Sequence, residues 1–100
     1  MIVRISSIAI PKTKIIEYWY HVERERLPVY EVAPGLDSVH FLQRALVAYY
    51  ELITISVWDS EEALTVFLEK STSDSGLQEY AGIEFEPRTY ELLLSRKGKL

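Results

Sequence analysis

Along this chain, alternating apolar and polar positions give way to helical spacing and then return, twice over. The order predicted is strand, helix, strand, strand, helix, strand. Ile2 to Ile10 is rich in β-branched residues and stops at Pro11, which reads as a first strand. Its alternation slips at Ser6-Ser7, leaving the pleat phase open and room for a bulge. Ile15, Ile16, Trp19 and Val22, with Arg26 at the far end, then recur at helical spacing and define an expected buried face. Thr13 stands where it can cap this helix, and Glu17, Glu23, Arg24 and Glu25 fall mainly on the wet side. Pro28 disfavours a helical Leu27, which predicts a kink or break before an irregular last turn to Val32. Ala33-Pro34-Gly35 closes the unit.

Ser38 to Arg44 reads as a second strand and Tyr49 to Trp58 as the third, the most apolar segment of the chain. Ala45-Leu46-Val47-Ala48 between them lacks the Gly, Asn or Asp of a tight hairpin. Either that loop is longer and irregular, or its apolar residues are covered. Asp59 and Glu62 have capping-box spacing at the start of a second helix. Its expected buried face is Ala63, Leu64, Phe67 and Leu68, fading by Ser71. Ser71 to Gly76 reads as a loop, and Leu77 to Ala81 as a short helical turn. The last strand is expected over about Glu84 to Ser95, and Pro87 within it places that strand at a sheet edge. This order fits a ferredoxin-like α+β fold with an antiparallel sheet, first and third strands central, helices on one face. The other face would be bare, which predicts a second copy of the chain against it, hence a homodimer.

One hundred residues make a single domain over 1–100, with a core over 1–95 and a short basic tail over 96–100. The absence of cysteine removes disulfides and thiolate chemistry. A net charge of -4 offers no basic stripe for nucleic acid. The apolar stretch Val39 to Val57 carries His40, Gln43, Arg44 and Glu51, a poor composition for a membrane span. A cytoplasmic protein is the default expectation.

His21 and His40 are the two side chains that titrate naturally near neutrality, so a general base is sought there first. His40 is the candidate, although an edge strand more often carries a surface or interface histidine. His21 falls on a largely polar helix sector with the same bland expectation. Arg4, on a central strand, needs a partner or a ligand, because an unpaired buried guanidinium is costly. Glu51 on the neighbouring strand could pair with it; the functional reading is an anchor for a substrate carboxylate or phenolate. Trp58 and Trp19 could wall a pocket for an aromatic molecule, or plug the core. No phosphate loop, paired metal-ligand histidines or nucleophile elbow is present.

Ala33-Pro34-Gly35 before the second strand, and Val57-Trp58-Asp59-Ser60-Glu61-Glu62-Ala63-Leu64 after the third, resemble the antibiotic biosynthesis monooxygenase family. The resemblance implies a dimeric α+β barrel, each subunit holding a pocket between sheet and helices. It also implies cofactor-independent oxidation of a small phenol or quinol, or haem degradation. Trp58 corresponds to that family's pocket tryptophan, and Trp19 to its pocket-facing aromatic on the first helix. Ser6 or Ser7 stands near the position where haem-degrading members carry an asparagine. This chain has no asparagine, and 64–81 holds no histidine, so haem degradation is not expected. The expected site is Trp58, Trp19, Arg4 and Ser6 as substrate-binding residues with His40 as base, no metal and no cofactor. A non-catalytic binding or sensing module, or an isomerase or lyase on the same fold, stands as the alternative.

Overall fold

In the computed structural model, which describes residues 1–70 and 79–98, strands β1 (Ile2–Pro11) and β3 (Tyr49–Trp58) form an unbroken antiparallel ladder. The ladder runs from Ile2 opposite Trp58 to Pro11 opposite Tyr49. No bulge interrupts it at Ser6-Ser7. Strand β2 (Leu36–Ala45) lies on the far side of β3, with its only irregularity between Leu36 and Ser38. On the free side of β1 lie two short strands, β4 (Ile83–Glu84) and β5 (Arg88–Glu91). The sheet order is β2-β3-β1-β4, with β5 also on β1, so the first and third strands are central as expected. The fold is α+β with a ferredoxin-like antiparallel sheet.

The fourth strand departs from expectation. A single strand to Ser95 is replaced by two pieces on either side of Pro87, and 92–98 carries no regular structure. Glu84 sits opposite Ile8 and Arg88 opposite Ile5, so the edge holds one more residue than β1 beneath it. Proline cannot donate to the ladder, and the surplus residue is absorbed there.

The helical connection after β1 is built in four pieces: a 3-10 turn (Lys12–Lys14), α1 (Ile15–His21), a π-helical segment (Val22–Arg26) and α2 (Leu27–Glu31). Thr13 lies inside the 3-10 turn, and neither it nor any other side chain caps that turn or α1. The buried stripe is Tyr18, Val22 and Tyr30, with the partly buried Arg26 in line between them; Ile16 is 71% exposed. These residues recur strictly every four positions. A pure α-helix would turn such a stripe by about 40° at each step, since four residues exceed its 3.6-residue turn. The wider π turn takes up that drift. It also explains Pro28: the Leu27 N–H donates five residues back to the Val22 carbonyl, and Pro28 then falls in the first turn of α2. There its missing N–H costs nothing. The expected break is a change of helical pitch.

Helix α3 (Glu61–Lys70) begins on Ser60, whose Oγ accepts the Ala63 N–H at 3.1 Å, so Ser60 and not Asp59 is the cap. The Asp59 N–H instead donates to the Gly35 carbonyl at 2.8 Å, tying the end of β3 to the turn before β2. Leu64 is buried, Ala63 and Phe67 are partly buried, and Leu68 is 41% exposed. The expected loop over Ser71 to Gly76 lies outside the described residues, as does the start of the expected turn at Leu77. Glu79 to Ala81 do form a turn. The β2–β3 connection is short, closed by the Leu46 N–H on the Tyr49 carbonyl at 2.8 Å, and Val47 is 98% exposed. Neither expectation for that loop holds within one copy of the chain.

Two apolar clusters fill the space between sheet and helices. One gathers Ile10, Tyr18, Val22 and Leu52, the other Tyr30, Trp58 and Leu64; Phe41 touches both. Gly35 serves the second. Its φ of 83° suits glycine, and a Cβ there would lie 2.5 Å from the Ala63 Cβ. Gly35→Ala is therefore expected to destabilise by about 2–4 kcal/mol, from left-handed strain plus the clash. Gly98→Ala, with nothing within 4 Å, should leave the urea midpoint unchanged.

Candidate functional site

Strict alternation on the central strands decides what the floor of the site is made of. Arg4, Ser6 and Ile8 of β1 share the helix-facing side with Leu52 and Thr54 of β3, Arg4 lying opposite Ser56 and Ser6 opposite Thr54. The middle of the floor is thus polar, and an apolar helix face gains nothing by settling onto it. Between this floor and the helices lies an open cleft of about 780 Å³. Its walls include His21, Arg26 and Tyr30 from the first helical region, Phe67 from α3, and Tyr80 and Glu84 near the sheet edge.

Arg4 and Ser6, both expected to bind substrate, line this cleft. Glu51 does not reach Arg4. It stands opposite Ala9 on the other face of the sheet and pairs there with Arg44, at 3.0 Å from Nε and 2.9 Å from Nη2. Among the described residues Arg4 has no ion-pair partner, so its charge is left to solvent and to whatever enters the cleft.

The two tryptophans take other places. Trp58 is 0% exposed and does not line the cleft. Its ring lies 4.8 Å from that of Phe67, and its Nε1 donates to Ser56 Oγ at 2.9 Å. It supports the wall from behind. Trp19 sits outside, donating through Nε1 to Gln43 Oε1 at 2.6 Å and meeting Phe41 edge-on. His40 stands opposite Ile55 on the uncovered face of the sheet, 3.3 Å from Ser38 Oγ. None of these three is brought together with Arg4 and Ser6.

His21 is the histidine in the cleft. Its ring forms a mutual triad with those of Tyr18, at 5.8 Å, and Tyr80, at 5.6 Å, which lie 5.5 Å from each other. Its Nε2 is shielded from solvent and has no hydrogen-bond partner among the described residues. Such an atom costs about 1–3 kcal/mol relative to a satisfied one. The expected polar, outward position assumed a buried face led by Ile15, Ile16 and Trp19. The actual stripe starts at Tyr18, and His21, three residues on, turns inward with it. The available signal was the four-residue recurrence of Tyr18, Val22, Arg26 and Tyr30.

Arg26 joins wall to core. Its Nη1 donates to the Tyr18 hydroxyl at 2.9 Å while the guanidinium lies over Phe41, 5.7 Å from the ring centre. Burial pushes the Tyr18 phenol above its ordinary value; the Arg26 charge and hydrogen bond pull the other way and lose. Among the described residues no group of three or more His, Asp or Glu is placed to hold a metal ion.

No family model matches the chain, and no curated protein matches it. Solved structures do. The structure of HapK from Hahella chejuensis superposes with a TM-score of 0.76 at 16% identity, over 99% of both chains. A Deinococcus radiodurans protein, provisionally named an antibiotic biosynthesis monooxygenase, gives 0.73 at 12% identity, again over 99% of both. This chain has the antibiotic biosynthesis monooxygenase fold. The R26S mutant of MhuD, described with two manganese protoporphyrin IX molecules bound per active site, gives 0.70 at 17% identity over 98% of this chain and 100% of that one.

Two outcomes test this account. Ser56→Ala should cost about 1–3 kcal/mol in urea unfolding by orphaning the Trp58 N–H. The raised Tyr18 pKa means the folded state holds that proton more tightly than the unfolded chain. Its contribution is full below the unfolded value, about pH 10, and is lost as pH rises through the higher folded value. The urea midpoint of Tyr18→Phe should accordingly fall less than that of the parent between neutral pH and about pH 11.

Proposed function

We propose that this chain is a monooxygenase that oxidises a small planar phenol or quinol in the cleft, without metal or flavin, and works as a homodimer. The observation that carries the reading is the cleft itself: Arg4, without an ion-pair partner among the described residues, on a polar floor walled by the rings of Tyr30, Phe67 and Tyr80. A volume of about 780 Å³ falls within the usual range for small-molecule sites. The fold supports the same reading, since a structural neighbour holds flat tetrapyrroles in its active site. Arg4 would stabilise a substrate oxyanion, Ser6 and Thr54 would offer hydroxyls to its oxygens, and the aromatic walls would exclude water from its ring. The oxygen chemistry would then belong to the substrate anion, which passes an electron to dioxygen.

The dimer reading rests on the uncovered sheet face, where Val3, Ile5, Ile53, Ile55, Val57 and Leu42 lie together beside His40. A contiguous apolar patch of this kind is a surface for another chain. No described helix is long and apolar enough to cross a membrane. The net charge of -4 gives nucleic acid no counterpart.

Aerobic incubation with a panel of dihydroanthracenols should yield quinones, and Arg4→Gln should lower kcat/KM by about tenfold or more. Saturable binding without turnover across the panel would reassign the cleft to a binding or sensing module. Sedimentation should give twice the 11.6 kDa chain mass, and Ile55→Glu should return the protein to that mass. A monomer at micromolar concentration in the parent would overturn the dimer.

A further inference from the structure

We infer that His21 is the proton acceptor of the cleft, and that the cleft takes hydroxyarenes whose hydroxyl is conjugated to a second oxygen-bearing group. The inference rests on the aromatic-ligand reading above and specifies its chemistry. Two histidines exist in the chain, and His40 lies on the opposite face of the sheet against Ser38. His21 lines the cleft, and its Nε2 is both closed to water and without a protein partner among the described residues. In the neutral imidazole protonated at Nδ1, that nitrogen is an acceptor with a free lone pair. The titratable and charged groups that share the cleft or touch the ring are Glu17, Tyr18, Tyr20, Arg24, Glu25, Arg26 and Tyr30 on its own helical run, Lys70 on α3, Glu79, Tyr80 and Glu84 near the edge, and Arg4 on the floor. The four carboxylates Glu17, Glu25, Glu79 and Glu84 are all exposed to solvent, unlike the shielded Nε2 of His21. Tyr18 is held by Arg26. Arg4 and Arg24 cannot accept a proton.

The proposed step is a single proton transfer. The ligand O–H bond breaks, an N–H bond forms at Nε2, and the electron pair stays with the ligand. Conjugation spreads that charge toward the second oxygen-bearing group, which faces the Arg4 guanidinium. The rings of Tyr18 and Tyr80 pack against His21 and against each other, so a flat aromatic ligand bearing a hydroxyl suits the surface beside it. A ligand lacking the second oxygen would leave Arg4 unanswered, and one lacking the hydroxyl would leave His21 so.

The probe is 4-nitrophenol, whose phenolate absorbs visible light and whose nitro group is the conjugated acceptor. In a buffer where the free probe is mostly neutral, bound probe is expected to show the phenolate spectrum. The Nε2 resonance of His21 in ¹⁵N-labelled protein should move to its protonated position, and that of His40 should stay. His21→Gln should still bind the probe, with the bound phenolate fraction reduced by about tenfold or more. His40→Gln should behave as the parent. Should His21→Gln fail to fold, the resonance shift in the parent decides. Saturable binding with an unmoved His21 resonance overturns this assignment and leaves the cleft reading standing. No saturable binding of the probe overturns both.

Discussion

The ten-residue ladder between β1 and β3 is the constraint from which the rest of the molecule follows. With no slip along it, every second residue on both strands is committed to the helix side. That side reads apolar at each end and polar between. Ile8, Ile10 and Leu52 meet Tyr18 and Val22 at one end, and Ile2 and Trp58 meet Tyr30, Leu64 and Phe67 at the other. Arg4, Ser6, Thr54 and Ser56 lie in the interval. The ends are closed over, and within the interval Thr54 and Ser56 are buried too, Ser56 against the Trp58 N–H; Arg4 and Ser6 remain partly open, since an arginine is costly to desolvate against hydrocarbon. The cleft is the geometric result of that sequence of side chains.

The helical wall is shaped by one departure from ideal geometry. A π turn at Val22–Arg26 keeps Tyr18, Val22, Arg26 and Tyr30 in one line, so a single face serves both apolar clusters and carries Arg26 over Phe41 between them. The phenol of Tyr18 could not be buried without Arg26 to satisfy its oxygen. Arg26 in turn is held in place by that hydroxyl and by the Phe41 ring. At the other end the Trp58 N–H is met by Ser56 from its own strand. Tyr18 and Trp58 thus both find the partners of their polar atoms nearby in the chain.

The sheet was largely legible in the sequence because strand signals are local. Tyr49 to Trp58 is recognisable from its apolar run, and Pro87 marks the edge without any knowledge of its neighbours. The helical wall was less so. Ile15, Ile16 and Trp19 have the spacing of a buried face, yet the chain leaves β1 through a 3-10 turn, which resets the phase before α1 begins. A pattern read at constant pitch cannot anticipate that reset, nor the π turn after it. The site shows the same division. Arg4, singled out as a charge on a central strand, and Ser6, singled out through the family resemblance, do line the cleft, whereas His21 was assigned to a polar helix sector because its helix phase was misjudged. Glu51 looked like a partner for Arg4 only while the pleat phase of β1 was open.

The π turn also makes the first helical region tolerant in one respect. The five residues Val22–Arg26 turn through about the same angle as four residues at ordinary α pitch. Removing one of them would therefore let the segment revert to α pitch and leave Tyr18 and Tyr30 close to their present directions. What would change is the segment itself, from which Arg26 reaches the Tyr18 hydroxyl. The surplus residue is an insertion that the helix absorbs locally, and the two ends of the wall do not depend on it for their common face.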